Sequence, residues 1–345
     1  MHDADRLRKF LFEHLPVRGE LVHLDQAWQQ VLDNGDYPPP IRVLLGEALA
    51  ASVLLASTLK FDGLLTLQLT GDGPMHLLVA QCSSHQQVRG LAKWRGEVAD
   101  AGLKTLAGSG RLSIGVDVGK EGERYQGIVP ITGDSLAESL ETYFDQSVQV
   151  PTRLWLESGK QAASGMLLQR LPEAWGDQAE LAWEHVQALA DTLSGDELAD
   201  LQDEDILRRL FSEDDLRMFD PTPVVFRCSC SQSRVETTLK LLGRDELDEL
   251  IAEQGRVDVR CEFCNRLYRF DPVDAAGLFV GMPADPGYDT LHCSTRVQRV
   301  GHFAILAPGL CLFHRQLGYI KIYLYFRPLI EAPMPWARLI PCWPD

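Results

Sequence analysis

Apolar and polar residues alternate in some stretches of this chain, run together in others and recur every three or four positions elsewhere. Each spacing predicts a different element. An amphipathic stretch opens the chain, and Val17-Arg18-Gly19-Glu20-Leu21-Val22-His23-Leu24 alternates as a strand does. A helix is expected over 25–32, broken by Asn34-Gly35-Asp36 before the Pro38-Pro39-Pro40 turn. Residues 41–59 are the most apolar run of the first half, interrupted by Arg42 and Glu47. The uninterrupted apolar length falls short of the roughly 20 residues that a membrane span needs, so a buried helix is expected. Residues 61–70 and 75–80, joined by Gly71-Asp72-Gly73-Pro74, predict a hairpin, and 108–114 with 125–131 a second strand pair. Ser135 with Glu138 three positions on predicts a capped helix that ends at 143–147. A strand near 151–156 follows, the segment 165–172 closes the region, and the antiparallel pairings make 1–172 an α+β core domain.

Composition then changes the picture. From 173 to 220 there are fifteen Asp or Glu against three Arg and no Lys, a net of −12, so this segment holds most of the chain's −16. Apolar residues persist at helical spacing: Leu181, His185, Ala188 and Leu189, then Leu198, Leu201, Ile206, Leu207, Leu210 and Phe211. Ser194 and Ser212 are candidate N-caps, each with an acidic residue three places later. Residues 173–221 are therefore expected to form an acidic linker of short helices. They lay an apolar face on something while repelling one another, a marginally stable arrangement.

The length of 345 residues suggests two or more domains, and 45% apolar residues suffice for a sizeable core. The acidic balance argues against a nucleic-acid partner. The charged start, Met1-His2-Asp3-Ala4-Asp5-Arg6, lacks the apolar core of a secretory leader, so a cytoplasmic protein without membrane attachment is expected. No enzymatic motif appears: there is no G-x-S-x-G, H-E-x-x-H or Walker pattern, and Gly71-Asp72-Gly73 reads as turn chemistry. His23, His76 and His85 lack metal-ligand spacing, and Cys82 stands alone as a small buried hydrophobe.

Chemistry concentrates where Cys228-Ser229-Cys230 is followed, thirty residues on, by Cys261-Glu262-Phe263-Cys264. Four thiolates suit one tetrahedral Zn²⁺, so Cys228, Cys230, Cys261 and Cys264 are the candidate metal ligands. A closed structural zinc ribbon is one reading. The other is a redox-active centre, because the same four sulfurs can instead form disulfides. Arg227, Arg234, Arg256, Arg260, Arg266 and Arg269 crowd the tetrad, and positive charge favours thiolate. A thiol–disulfide oxidoreductase would want C-x-x-C in a thioredoxin-like setting, which is absent. Helices are expected over 233–242 and 244–253, with Gly255 as a stop. A zinc-binding domain over 222–283 buries little surface alone, and metal would supply on the order of 10 kcal/mol of its folding free energy.

Phe226-Arg227-Cys228-Ser229-Cys230-Ser231, Leu241-Leu242-Gly243, Val259-Arg260-Cys261-Glu262-Phe263-Cys264 and Tyr268-Arg269-Phe270-Asp271 together resemble the zinc domain of the 33-kDa chaperonin family. Upstream, Arg18-Gly19-Glu20, the helix from Leu45, and the segments 125–131, 143–152 and 165–172 resemble their counterparts there, so the likeness spans roughly 5–280. It implies a redox-regulated, ATP-independent holdase that protects unfolding client proteins from aggregation. The reduced protein would hold one Zn²⁺ and be inactive. Oxidation would pair Cys228 with Cys230 and Cys261 with Cys264 as disulfides, release the metal and unfold the linker from the core. The resemblance further implies a homodimer when oxidised and client transfer to ATP-driven foldases. Residues 284–345 lie outside it, carry four acids against six bases, and contain the strand-like run 319–326. We expect this tail to be an accidental extension, dispensable for the chemistry.

Overall fold

The computed structural model describes residues 5–118, 124–171 and 176–279, together with the backbone of 303–305, 311–316 and 319–324. The chain divides into two compact units, one built from residues up to Arg227 and the other beginning at Cys228.

In chain order the first unit comprises β1 (Arg6–Phe12), β2 (Val17–Leu24), α1 (Gln26–Leu32), α2 (Pro39–Thr58), β3 (Leu64–Thr70), β4 (Met75–Ser83), β5 (Gln87–Trp94), α3 (Leu103–Ala107), β6 (Arg111–Asp117) and β7 (Arg124–Pro130). Then come α4 (Leu136–Tyr143), a π-helical turn (Phe144–Val148), β8 (Thr152–Ser158), β9 (Ala163–Arg170), α5 (Asp177–Ala190), α6 (Gly195–Asp200), α7 (Asp203–Leu210), β10 (Leu216–Met218), β11 (Thr222–Pro223) and β12 (Val225–Phe226). Local chemistry explains the starts: Ser135 forms a full capping box with Glu138, Ser194 does the same with Glu197, and prolines occupy the first turn of α2.

One sheet runs β10-β1-β2-β9-β8, with β11 also on β1, and the other β12-β5-β4-β3-β6-β7. Beyond Glu47, α2 is almost wholly buried because it packs against strands of both: β2, β8 and β9 of the first, β3, β4 and β5 of the second. It is long and apolar enough to cross a membrane, yet 83% of its most apolar window is buried inside the fold. The expectation of a core helix therefore fits.

The first sheet is apolar on its other face as well. Leu7, Val22 and Leu24 point to the α2 core, whereas Phe10, Phe12, Val17, Leu21, Met166 and Leu168 point away from it. The acidic segment covers that second face. Trp183, Val186 and Ala190 of α5, Leu198 of α6, Ile206, Leu207 and Leu210 of α7, and Phe211 complete a single cluster with it. Phe211 meets Phe12 edge-on at 5.0 Å between centroids. Gly19 lies opposite Phe10 in the β1–β2 register, and a Cβ there would fall 2.0 Å from the Phe10 ring, so glycine lets the ring lie across β2.

Two local expectations for this segment are corrected. The buried stripe of α5 is Ala179, Trp183, Val186 and Ala190, while Leu181 is 64% exposed. Both stripes have helical spacing, and docking of the large Trp183 ring chose between them. Ser212 starts no helix. The chain turns there, and residues 216–218 pair with the edge of β1 instead.

The second unit contains α8 (Gln232–Leu242), α9 (Arg244–Gln254), β13 (Val257–Cys261), β14 (Leu267–Phe270) and α10 (Pro272–Leu278) around a small core of Val235, Leu239, Leu247, Leu250, Val257, Val259 and Phe270. Residues 222–226, expected in this module, lie instead as β11 and β12 on the sheets of the first unit. The tail contributes β15 (Phe303–Ile305), β16 (Cys311–Gln316) and β17 (Tyr319–Leu324), and β17 pairs in parallel with β13, setting Ile322 beside Cys261.

Candidate metal centre

Each thiol of the tetrad is placed by a short element. Cys228 and Cys230 follow β12 and precede α8, whose N-cap Ser231 accepts a hydrogen bond from the Arg234 amide and turns the chain immediately after the second sulfur. Cys261 ends β13, and Cys264 sits in the turn to β14. That turn is closed by the Asn265 amide donating to the Cys261 carbonyl at 2.8 Å and the Cys261 amide donating to the Arg266 carbonyl at 2.9 Å. Asn265 takes the left-handed conformation at φ 54°, which a short amide side chain tolerates.

The result brings all four predicted residues together. Their Sγ atoms lie within 4.8 Å of one another, and each residue is half-buried. Two close approaches run between the motifs: Cys228 to Cys261 at 3.6 Å and Cys230 to Cys264 at 3.4 Å. A zinc tetrahedron with Zn–S bonds of about 2.3 Å has S–S edges of about 3.8 Å. Donor type, number and spacing therefore fit a tetrahedral metal ion, Zn²⁺ among them.

Surrounding donors fit as well. The Phe263 amide hydrogen-bonds to the sulfur of Cys261, and the Arg266 amide to that of Cys264. The Tyr268 hydroxyl lies 3.1 Å from Cys230 Sγ. Such donors stabilise ligating thiolates and fix their orientation. Sequence reasoning did not assign Tyr268 this role; its period-two placement with Phe270 on β14 is the only signal.

Without a cation, the sulfurs disfavour one another's charge. The thiol hydrogen bond with Cys228, followed by burial, pushes Cys261 well above the ordinary thiol range, and burial pushes Cys264 up to about 11. Several of the crowding arginines are engaged elsewhere: Arg256 pairs with Asp258, Arg234 reaches the Ser229 hydroxyl, and Arg260 the Asn265 carbonyl. Arg266 does interact with Cys230 and Cys264. A divalent cation among the four sulfurs would reverse the balance, since a coordinating thiol is deprotonated outright. Cys82 is fully buried beside Gln86, and burial pushes its thiol up.

The centre is linked to the acidic segment by continuous chain. In the first unit, Asp203 of α7 is almost wholly buried and receives Arg6 Nε at 2.8 Å and Arg8 Nε at 3.1 Å. Arg8 also reaches Glu204 at 2.8 Å. After α7 come β10, β11 and β12, and the Arg227 amide donates to the Val88 carbonyl one residue before Cys228.

A family model described as Hsp33 protein matches residues 5–271. A 33 kDa chaperonin of Nitrosococcus oceani is 46% identical over 293 residues, covering 85% of this chain and all of that protein. One from Pseudomonas aeruginosa is 45% identical over 298 residues with the same coverage, and one from Methylobacillus flagellatus 43% identical over 293 residues. Among solved structures, the 33 kDa chaperonin of Thermotoga maritima superimposes with a TM-score of 0.67 at 23% identity, covering 79% of this chain and 97% of that one, a likeness of fold.

Proposed function

This chain belongs to the Hsp33 family, and on that footing we propose that it is a redox-regulated, ATP-independent holdase of the cytoplasm rather than an enzyme. The observation that carries the proposal is an apolar sheet face covered by an acidic segment whose chain leads straight into a four-thiol centre. Cys228, Cys230, Cys261 and Cys264 are both the ligands and the redox-active residues. When bound, one Zn²⁺ supplies the cation that balances four thiolates and ties the C-x-C and C-x-x-C segments together.

Oxidation by peroxide removes two electrons from each thiolate pair and forms one S–S bond, while the peroxide takes up those electrons with two protons from solvent and leaves as water. Once the first pair is oxidised, only two donors remain, and metal affinity collapses. All four sulfurs are close enough to cross-pair, but a loosened module favours local closure, because a thirty-residue loop costs more entropy to close than a neighbouring pair. Cys228–Cys230 and Cys261–Cys264 are the disulfides we assign. The small core of the second unit then lacks its metal, the linker 173–221 undocks, and Phe10, Phe12, Val17, Leu21, Met166 and Leu168 become available to unfolding clients. Each such side chain contributes about 1.5–3 kcal/mol when reburied. The active form is a dimer that passes clients to ATP-driven foldases.

One sample assayed twice for suppression of client aggregation, reduced with zinc and then oxidised, tests this. Suppression only after oxidation is expected. Equal behaviour in both states would favour a constitutive zinc-ribbon module.

A further inference from the structure

We propose that the outer edges of β1 and β5, capped here by the chain's own residues 216–226, receive extended segments of unfolded polypeptide by strand addition once that cap is released. The inference rests on the redox-holdase reading and adds to it a second mode of client capture, through main chain rather than apolar side chains.

The cap consists of three very short strands on two different sheets. β10 pairs antiparallel with β1 (Phe10 opposite Met218, Phe12 opposite Leu216), and β11 pairs with the start of the same strand (Leu7 opposite Thr222). β12 pairs in parallel with β5, setting Val225 beside Gln87 and Phe226 beside Val88. Main-chain hydrogen bonds join the pieces. The Phe219 amide donates to the Lys9 carbonyl at 3.0 Å and the Val224 amide to the Asp5 carbonyl at 2.9 Å. The Glu13 amide donates to the Asp215 carbonyl at 2.9 Å, and Val225 and Arg227 donate to the Gln86 and Val88 carbonyls at 3.0 Å each.

Side chains anchor this cap at a few points: Val224 is buried, Leu216 and Phe226 pack at the margins of the two cores, and Arg217 pairs with Glu13 at 2.8 Å, whereas Met218 and Val225 are 45% and 47% exposed and Thr222 and Pro223 face solvent. An edge satisfied mainly by backbone has little preference for the sequence that satisfies it. The cap is also bounded on both sides by the parts proposed to move: α7 and Phe211 precede it, and Cys228 follows it. Its release would leave the seven-residue β1, and the first two residues of β5, each still held by a neighbour on its inner side, with unmatched outward amides and carbonyls. Such an edge is a template for any extended chain, and main-chain pairing supplies affinity without sequence selection. That property suits a protein whose clients share only the loss of their fold.

The test uses the full-length oxidised protein and a Val/Thr-rich unstructured peptide long enough to span β1, beside the same peptide N-methylated at successive residues. Amide exchange is read at Glu13, the residue after β1, whose amide is capped by the Asp215 carbonyl just ahead of β10. On oxidation the Glu13 amide should exchange at least about tenfold faster, and the unmodified peptide should restore its protection. The N-methylated peptide should bind at least about tenfold more weakly. Equal binding of both peptides, with protection confined to the Phe10 and Phe12 face, would overturn strand addition and leave the holdase reading intact. A Glu13 amide that stays protected after oxidation would overturn it too. Failure of the oxidised protein to suppress aggregation at all would remove the holdase reading and this inference with it.

Discussion

Arg6 and Asp203, 197 residues apart in sequence, form a two-pronged buried ion pair, with Nε–Oδ2 at 2.8 Å and Nη2–Oδ1 at 3.0 Å. It joins the first strand of the core to the first turn of α7, and Arg8 shares the same carboxylate. Removing one member of a buried pair leaves the other charged and unmatched, which costs more than the pair contributes.

Asp203→Asn should therefore weaken linker docking by about 3–5 kcal/mol, since the buried Arg6 guanidinium loses its counter-charge and the half-buried Arg8 keeps only Glu204. We expect faster amide exchange over 177–210 in the reduced protein and partial suppression of client aggregation without oxidant. Exchange in α2 should be unchanged. Reduced-state exchange matching wild type would show that the apolar contacts of Trp183, Ile206 and Phe211 hold the linker alone.

Cys261→Ser should abolish stoichiometric zinc, because three thiolates and an alcohol make a poor substitute for the set. Tyr268→Phe removes only the hydroxyl beside Cys230 and should lower zinc affinity about 10-fold, in the range typical of groups that orient ligands. Competition with a chromogenic chelator reads both. Unaltered affinity in the tyrosine variant would make that contact incidental.

Peptide mapping of oxidised protein under non-reducing conditions should recover the 228–230 and 261–264 segments as separate, internally bridged peptides. The approaches of 3.6 Å and 3.4 Å between motifs make cross-linking the competing outcome. A dominant peptide joining the two segments would mean that oxidation outruns loosening of the module.

Glu47 on α2 supplies a pH dependence. Burial, reinforced by Glu157, raises its carboxyl to about 7 from the ordinary 4.5. The folded state keeps this proton where the unfolded state has lost it, so its contribution is present below about 4.5 and lost as pH rises through about 7. Glu47→Gln should match wild type at pH 4.5 and be more stable at pH 8, by on the order of 2 kcal/mol, in thermal melts at the two pH values. A gap that does not grow with pH would rule out this assignment.

Deleting 285–345 removes β17 from the side of β13 but leaves the four thiols and the described core of the second unit in place. About one zinc per chain and redox-dependent activity should survive, with faster exchange in 257–261. Loss of metal on deletion would make the tail part of the module's fold.

The thiol centre was legible in the chain because metal ligation is a local constraint: C-x-C and C-x-x-C each bring two sulfurs together over one turn. The capped helix at Ser135, the stop at Gly255 and the alternation of 17–24 were legible for the same reason, as each reports on a few neighbouring residues. The helical periodicity of the acidic segment also announced an apolar face. It did not say which face, because two stripes of α5 share the spacing, and only the surface beneath Trp183 selects one. Nor did sequence reveal what the segment covers. Phe10 and Phe12 lie on β1 with Arg6 and Arg8 on the same side, and their partners at 183–211 arrive from the far end of the domain. Ser212 shows the limit most plainly: its cap signal was sound locally, yet the unpaired edge of β1 claimed the residues after it. Spacing and local hydrogen bonds settled the chemistry of the thiols. Long-range burial, the pairing of Arg6 with Asp203 and the need of β1 and β5 for edge partners were decided by tertiary structure, since each depends on surfaces that exist only after the two sheets have closed on α2.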